Sequence, residues 1–475
     1  MTALTRPRPL IVPPVPEPPL EELPVRALLA AFRTNTLAAW PRRADEDAVL
    51  ERRVLGRASD LVNDAAAIRR VLVDNGANDT RTPASIRILR PIVGDGVLLA
   101  RGEEWRRQRR TPAPAFTPRT LPMLARHAAV ATGAALYRLD GMAAAGVGID
   151  RPGAMQALAL DVAGRSMFSP EAERFGPALR GMIIRYNRHL ARPHPSDFLF
   201  PLWLPTVWDL LRRRFRRNWM DLIDSVIAER RRAGRTGGPR DLSDLMDGAR
   251  DPETGAGFTP AQLRDQLATL IMAGHETTAL TLFWACWLLA QALEAQERVA
   301  AEAQALDAAP EDAPETARDA LARLPFTRAV VDETLRLYPP AYTIVRLSLG
   351  EDDLGAVRIP AGALIGIAPW TLHRHRRLWS EPDAFEPARF LPAAPPPDRF
   401  AFLPFGAGPR VCIGAQFALT EAVLVLASLF RRFRVALPPD ARSVLPVAVV
   451  TTQPDHAPPF RINPAPTAVK GESND

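Results

Sequence analysis

Along most of this chain apolar residues recur at the three- and four-residue spacing of a helix, and they alternate with polar ones only over short stretches. The segment VWDLLRRRFRRNWMDLIDSVIAERRR interleaves its arginines with Leu210, Leu211, Phe215, Trp219, Leu222 and Ile223, which predicts an amphipathic helix with one apolar face. A longer helix starts at Thr259, Pro260 and Gln262, a capping box with proline at the first helical position, and its apolar run reaches about Ala292. From Gln416 the residues Phe417, Leu419, Val423, Leu424, Ala427 and Leu429 mark another, with Arg431 and Arg432 near its end, where cations suit the dipole. Strand-like stretches are confined to 345–349, 357–359, 364–368 and 447–451. The pattern predicts a mainly α fold with small β-sheets and no repeat of fixed period.

The run ATLIMAGHETTALTLFWACWLLAQA has the length of a membrane span, but His275, Glu276, Thr277 and Thr278 interrupt its middle, where polar groups are costly in lipid. It reads as a long central helix buried in protein. The N-terminus carries many prolines and no apolar signal region, so neither signal peptide nor membrane anchor is expected. Proline-rich stretches lie at 7–24, at 392–397 and at the C-terminal end, none beside a change of periodicity. The expected organisation is an arm over 1–24 and one domain over 25–475.

With 475 residues, 47% hydrophobic and 24% charged, the chain has the composition of a soluble globular protein. Its two cysteines, Cys286 and Cys412, exclude a disulfide framework and a four-cysteine zinc site, and fit a reducing, cytoplasmic compartment. Net charge is +7, and Lys470 is the only lysine. The arginine runs at 212–217 and 230–232 read as solvated helix faces, because no nucleic-acid module accompanies them.

The most informative chemistry is FGAGPRVCIG, Phe405 to Gly414. A thiolate that ligates haem iron needs a tight loop whose backbone N–H groups face the sulfur. Gly406 and Gly408 permit that turn, Gly414 has no Cβ to hold a flat macrocycle away, Arg410 suits a propionate, and Phe405 suits a shield against water. Taken alone, Cys412 reads as readily as a small buried hydrophobe. His373 and His375 share a face only on a strand and have no evident third ligand, so no metal is assigned to them. Cys286 falls in the apolar half of the long helix and reads as packing.

Position for position, the loop resembles the cysteine signature F-x-x-G-x-R-x-C-x-G of the cytochrome P-450 family. Ala273, Gly274, His275, Glu276, Thr277 and Thr278 are similar to that family's oxygen-activation motif, and Glu333, Arg336 and Arg389 to its E-x-x-R pattern with a later arginine. The resemblance spans Trp105 to Gly414 in the family's order. It implies a haem-thiolate monooxygenase carrying haem b (iron protoporphyrin IX), with Cys412 as axial ligand of the iron. It further implies that Ala273 and Gly274 leave room for a diatomic ligand, and that Thr277 and Glu276 manage protons. Glu333, Arg336 and Arg389 would form a buried network locking the cysteine loop, while Trp105, Arg109, Arg346 and Arg410 would hold propionates.

No nucleotide or flavin fingerprint is visible, so electrons are expected from a ferredoxin or flavodoxin with its reductase. Arg106, Arg107, Arg110, Arg431 and Arg432 are candidates to steer such an acidic carrier. Alternatives are a peroxide-driven or isomerising haem-thiolate enzyme, a haem-based sensor or a cysteine hydrolase. By resemblance the substrate pocket is lined from 81–98, 184–204, 267–274 and 341–344 and near Thr451 and Thr452. Phe198, Phe200, Trp203, Leu270 and Ile344 within those stretches suit a lipophilic guest such as a fatty acid, terpenoid or polyketide.

Overall fold

The computed structural model describes residues 10–54, 56–144, 161, 171–234, 239–306, 321–355 and 357–465. The first nine residues of the expected arm lie outside that set. Farther along the arm, Ile11 bridges to Phe385. The helices that frame the site are α1 (Val25–Thr34), α2 (Pro83–Val93), α3 (Gly102–Arg110), α4 (Leu121–Ala144), α5 (Pro195–Leu199), α6 (Val207–Ala233), α7 (Pro260–Leu289), α8 (Leu293–Gln304), α9 (Pro325–Leu337) and α10 (Ala415–Arg432).

Helix α7 runs through the middle and is buried on nearly every side, as expected of a helix apolar all round. Its N-terminus forms the predicted box: Thr259 Oγ1 accepts from the Gln262 N–H, and Gln262 Oε1 accepts from the Thr259 N–H. It stops at Leu289, short of the expected Ala292, although no breaker residue is present. Tertiary contact imposes the stop. Gln296 Nε2 takes the Leu289 carbonyl and the Val435 carbonyl, Gln296 Oε1 accepts from the Val435 N–H, and α8 leaves at 116°. Among the described residues no single helix is long and apolar enough to cross a membrane. Trp284 of α7 stacks parallel on Tyr338 at 4.0 Å, with Trp287 edge-on to both. Each such side chain contributes on the order of 1.5–3 kcal/mol by leaving water.

The main sheet has the order β1 (Val49–Leu50), β3 (Arg57–Val62), β8 (Leu364–Ile367), β5 (Ile344–Ser348), β4 (Asp79–Thr80), with β2 (Arg53–Val54) paired to β3. Only β3 and β8 run parallel within it. Strands β6 (Asp352–Asp353) and β7 (Arg358–Ile359), β9 (Phe433–Ala436) and β12 (Arg461–Pro464), and β10 (Pro446–Ala448) and β11 (Thr452–Pro454) form three two-stranded sheets. The expected strand over 447–451 is therefore a hairpin. Val449 and Val450 sit at its turn without glycine or asparagine to signal one, and both line the cavity described below.

Helix α6 also departs from its predicted face. Leu210 and Leu211 are exposed, whereas Arg212 is buried in a bidentate pair with Asp197 at 2.7 and 2.9 Å.

Candidate active site

A cavity of about 1060 Å³ lies between α7 and the segment that precedes α10. Cys412 and Phe405 form one wall, and Ala273, Gly274 and Thr277 form another.

Two glycines with left-handed backbone shape the cysteine loop, Gly406 at φ 71° and Gly408 at φ 73°. A Cβ on Gly408 would meet the Leu72 carbonyl oxygen at 2.1 Å. Gly408 thus both permits the turn and seats the loop against the 70–74 turn. Phe405 accepts at its carbonyl from the Cys412 N–H at 3.0 Å. The Cys412 sulfur faces the cavity, so its exposed surface meets an interior space rather than bulk solvent. Burial pushes the thiol up, while the Gly414 N–H and the Arg109 charge act the other way.

Six arginines line the same cavity, Arg52 and Arg57 beside Arg81, Arg109, Arg346 and Arg410. Arg346 pairs with Asp79 at 3.0 Å, and the Arg410 guanidinium lies 4.4 Å from the centre of the Trp105 ring while donating to the Ala100 carbonyl. Burial, followed by the charges of Arg346 and Arg410, lowers Arg81 to about 9. Asp79 is raised to about 6 by burial against the lowering pull of the arginines. The resemblance points to Trp105, Arg109, Arg346 and Arg410, and Arg81 stands at the start of the stretch 81–98 expected to line the pocket, although it belongs to no motif.

On α7, Thr277 Oγ1 donates back to the Ala273 carbonyl at 2.6 Å, the mid-helix competition its position predicts. Its neighbour Glu276 points elsewhere. It accepts from Thr451 Oγ1 at 2.8 Å, Asn187 Nδ2 at 2.8 Å and Gln453 Nε2 at 2.5 Å. Burial raises its carboxyl, opposed by these three hydrogen bonds. The lining expected near Thr451 and Thr452 falls on the adjacent Val449 and Val450, while Thr451 serves Glu276 and Thr452 Oγ1 donates to the Pro339 carbonyl. Trp203 is 79% exposed and also falls outside the lining, whereas Phe198, Phe200, Leu270 and Ile344 belong to it.

Behind the loop, Arg336 holds Glu333 through two bonds of 2.7 and 2.8 Å and donates to the carbonyls of His373, Pro382 and Ala384. Arg389 and the Glu386 N–H complete the shell of Glu333. His373 transmits this rigidity: its Nε2 accepts from the Leu403 N–H at 2.8 Å, which leaves Nδ1 as the donor to the Arg336 carbonyl. It is a neutral joint rather than a metal ligand, and no metal-binding cluster of histidine, cysteine and carboxylate is found among the described residues.

Burial and the Arg336 charge hold His373 at about 3, against an ordinary 6.5. The unfolded chain therefore takes up a proton here that the folded chain refuses, so this contribution to stability is lost as pH falls from 6.5 toward 3. Its size is on the order of a few kcal/mol. Unfolding midpoints in urea at pH 7 and pH 4.5 are expected to fall less for His373→Asn than for the parent, and equal slopes would rule this origin out.

Of the arginines expected to steer a carrier, Arg431 donates to the Ala303 and Leu306 carbonyls and Arg432 pairs with Asp140. Arg106, Arg107 and Arg110 pair with Glu103, Glu104 and Asp251. None is an unpaired surface cation.

A family model described as Cytochrome P450 matches residues 42–456. Cyclooctat-9-en-7-ol 5-monooxygenase of Streptomyces melanosporofaciens is 36% identical over 73% of each chain. Pentalenene oxygenase of Streptomyces avermitilis is 33% identical over 76% of this chain and 78% of its own. The solved heme domain of cytochrome P450DA superposes with a TM-score of 0.71 at 26% identity, covering 88% of this chain and 90% of that one.

Proposed function

The chain belongs to the cytochrome P450 family, and from that premise we propose how its residues divide the work and what it oxidises. It is a monooxygenase, and haem is its cofactor. The cavity suits that group: its lining carries six arginines against the two carboxylates Asp60 and Asp197, and even with Asp79 paired to Arg346 this leaves a surplus of positive charge in a largely apolar space, matching a flat apolar ligand that carries two propionates. When bound, haem supplies the redox chemistry that activates dioxygen.

Cys412 would hold the haem iron through its sulfur, and Arg109, Arg346, Arg410 and Arg81 would hold the propionates, with Trp105 stacked against Arg410. Ala273 and Gly274 keep the opposite wall low, and Phe405 screens the sulfur. Thr277 hands protons to the reacting centre. While its hydrogen is bonded back to the Ala273 carbonyl, its oxygen is free to accept a hydrogen bond from a water on the cavity side. Glu276, caged and with its carboxyl raised, stores the proton that refills this route. Electrons come from a ferredoxin or flavodoxin with its reductase. The substrate is a terpenoid or another lipophile of that size, a reading supported by the two Streptomyces relatives and by the apolar lining from α2, α5 and α7.

The observation that carries this division of labour is that the Cys412 sulfur and the Thr277 hydroxyl open onto one cavity ringed by arginine charge. Reconstitution with a ferredoxin and its reductase over a panel of cyclic terpenes tests it. In Thr277→Ala, haem content and substrate affinity are expected to hold while product per electron pair falls several-fold and hydrogen peroxide rises. Unchanged coupling removes the role given to Thr277.

A further inference from the structure

The hairpin of β10 and β11 serves two parts of the site at once. Its turn residues Val449 and Val450 line the cavity, and Thr451 and Gln453, which follow them, donate to Glu276. A shift of the hairpin therefore moves a cavity wall and the cage of the acid together.

A two-stranded sheet leaves an edge open on each side, with backbone groups that need partners. Here other elements fill both edges. Along β11 the Thr452 N–H donates to the Pro340 carbonyl at 3.1 Å, its Oγ1 donates to the Pro339 carbonyl at 2.7 Å, and its own carbonyl accepts from Trp284 Nε1 at 3.0 Å. Pro339, Pro340 and Trp284 are all buried, and the stack of Trp284 on Tyr338 fixes them further.

Along β10 the attachment is a single side chain. Asn35 Nδ2 donates to the Pro446 carbonyl at 3.0 Å, and Asn35 Oδ1 accepts from the Ala448 N–H at 2.9 Å. A carbonyl and the N–H two residues on face the same side of a strand, so one amide supplies what a third strand would. The same Oδ1 accepts from the Leu37 N–H, which ties the amide to the short helical turn Thr36–Ala39. Tyr342 Oη donates to the Val449 carbonyl at 2.8 Å and lies 3.3 Å from Thr36 Oγ1, so the tip of the hairpin leans on the same N-terminal segment. Asn35 itself is outside the cavity lining.

On the reading of Glu276 and the cavity given above, we propose that Asn35 is a positioning residue of the oxidation: through the hairpin it sets both the Val449–Val450 wall beside the substrate and the cage that holds Glu276. It touches neither the substrate space nor the acid. Where the substrate lies and how the acid is held are thus governed by one amide on a segment that precedes the site by more than two hundred residues.

The test compares Asn35→Ala with the haem-loaded parent. Hydrogen exchange of the amides from Val447 to Gln453 is expected to quicken roughly tenfold or more, with α9 and α10 unchanged. The infrared band of the Glu276 carboxyl, identified as the one missing in Glu276→Gln, is expected to shift, because Thr451 and Gln453 no longer hold it in one geometry. Followed by the Soret shift, 4-phenylimidazole is expected to bind at least threefold more weakly while the smaller imidazole binds as in the parent. Asn35→Gln keeps the amide and is expected to recover part of each change. The control is Asp64→Ala, which removes a cap from the helix over 65–69, none of whose residues lines the cavity. It is expected to lower the urea midpoint and leave the band and the ratio of the two affinities alone. Faster exchange in Asn35→Ala with an unmoved band and an unchanged ratio overturns the proposal and reduces Asn35 to a structural tie. Exchange like that of the parent overturns it too, because the hairpin then hangs on something else. Whether the Glu276 band is that of a protonated or an ionised carboxyl tests the proton store, and whether it moves tests Asn35, so the two readings fail separately.

Discussion

Cys412→Ala is expected to lose the far-red Soret band of the dithionite-reduced, carbon monoxide-treated protein, and product formation is expected to fall to background. No second ligand stands ready. The other cysteine, Cys286, is buried in the apolar half of α7 with burial pushing its thiol up to about 12, and neither it nor any histidine lines the cavity among the described residues. Thiolate ligation is what drives electron density toward the opposite face of the iron. A serine at 412 could still bind weakly but could not reproduce that push, so Cys412→Ser is expected to retain some haem with a blue-shifted band. A parent-like spectrum from either variant would mean that the iron is held elsewhere.

Glu333→Gln is expected to cost about 3–5 kcal/mol, because it leaves Arg336 and part of Arg389 buried beside an uncharged amide. Both side chains of the Glu333–Arg336 pair are fully buried, and Arg336 already serves three carbonyls, so the structure cannot relax by hydrating the orphan. The readouts are the urea midpoint and the haem retained after gel filtration. Asp74→Asn, which breaks the exposed pair with Arg69, is the control, at ~0–1 kcal/mol. Because His373 joins Arg336 to Leu403, haem loss is expected to precede global unfolding in Glu333→Gln. A penalty no larger than that of the control would remove the network from any part in holding the cysteine loop.

Much of the site was legible because its signals are local. The loop from Phe405 to Gly414 is contiguous, Glu333 and Arg336 stand one helical turn apart, and the Thr259 box needs only four residues. What escaped is what tertiary structure decides. Arg81 stands in an expected lining stretch, but its place among the cavity arginines follows from the pairing of β4 with β5. Helix α7 ends at Leu289 because an amide on the next helix takes its carbonyl. Leu210 and Leu211 fit an inward apolar face by periodicity, but Asp197 on another element draws Arg212 inside and turns both leucines outward. Gly408 was required for the turn, but its second service, the close approach of the Leu72 carbonyl, comes from another element. For His373 the resemblance implies a structural histidine, but the partners that make it a joint, Leu403 and Arg336, come from two other elements.

Four backbone carbonyls of one turn rest on Arg87, whereas the cysteine loop is held by several independent ties. This makes the cavity unequal in its tolerance of change. A chain under selection for a new substrate has a module between α5 and α6 whose shape depends on two side-chain anchors, Arg87 and the Arg212–Asp197 pair, while the cofactor wall opposite stays fixed. Libraries aimed at altered selectivity should accordingly vary Arg87 together with the turn it carries, and leave the residues around Glu333 untouched.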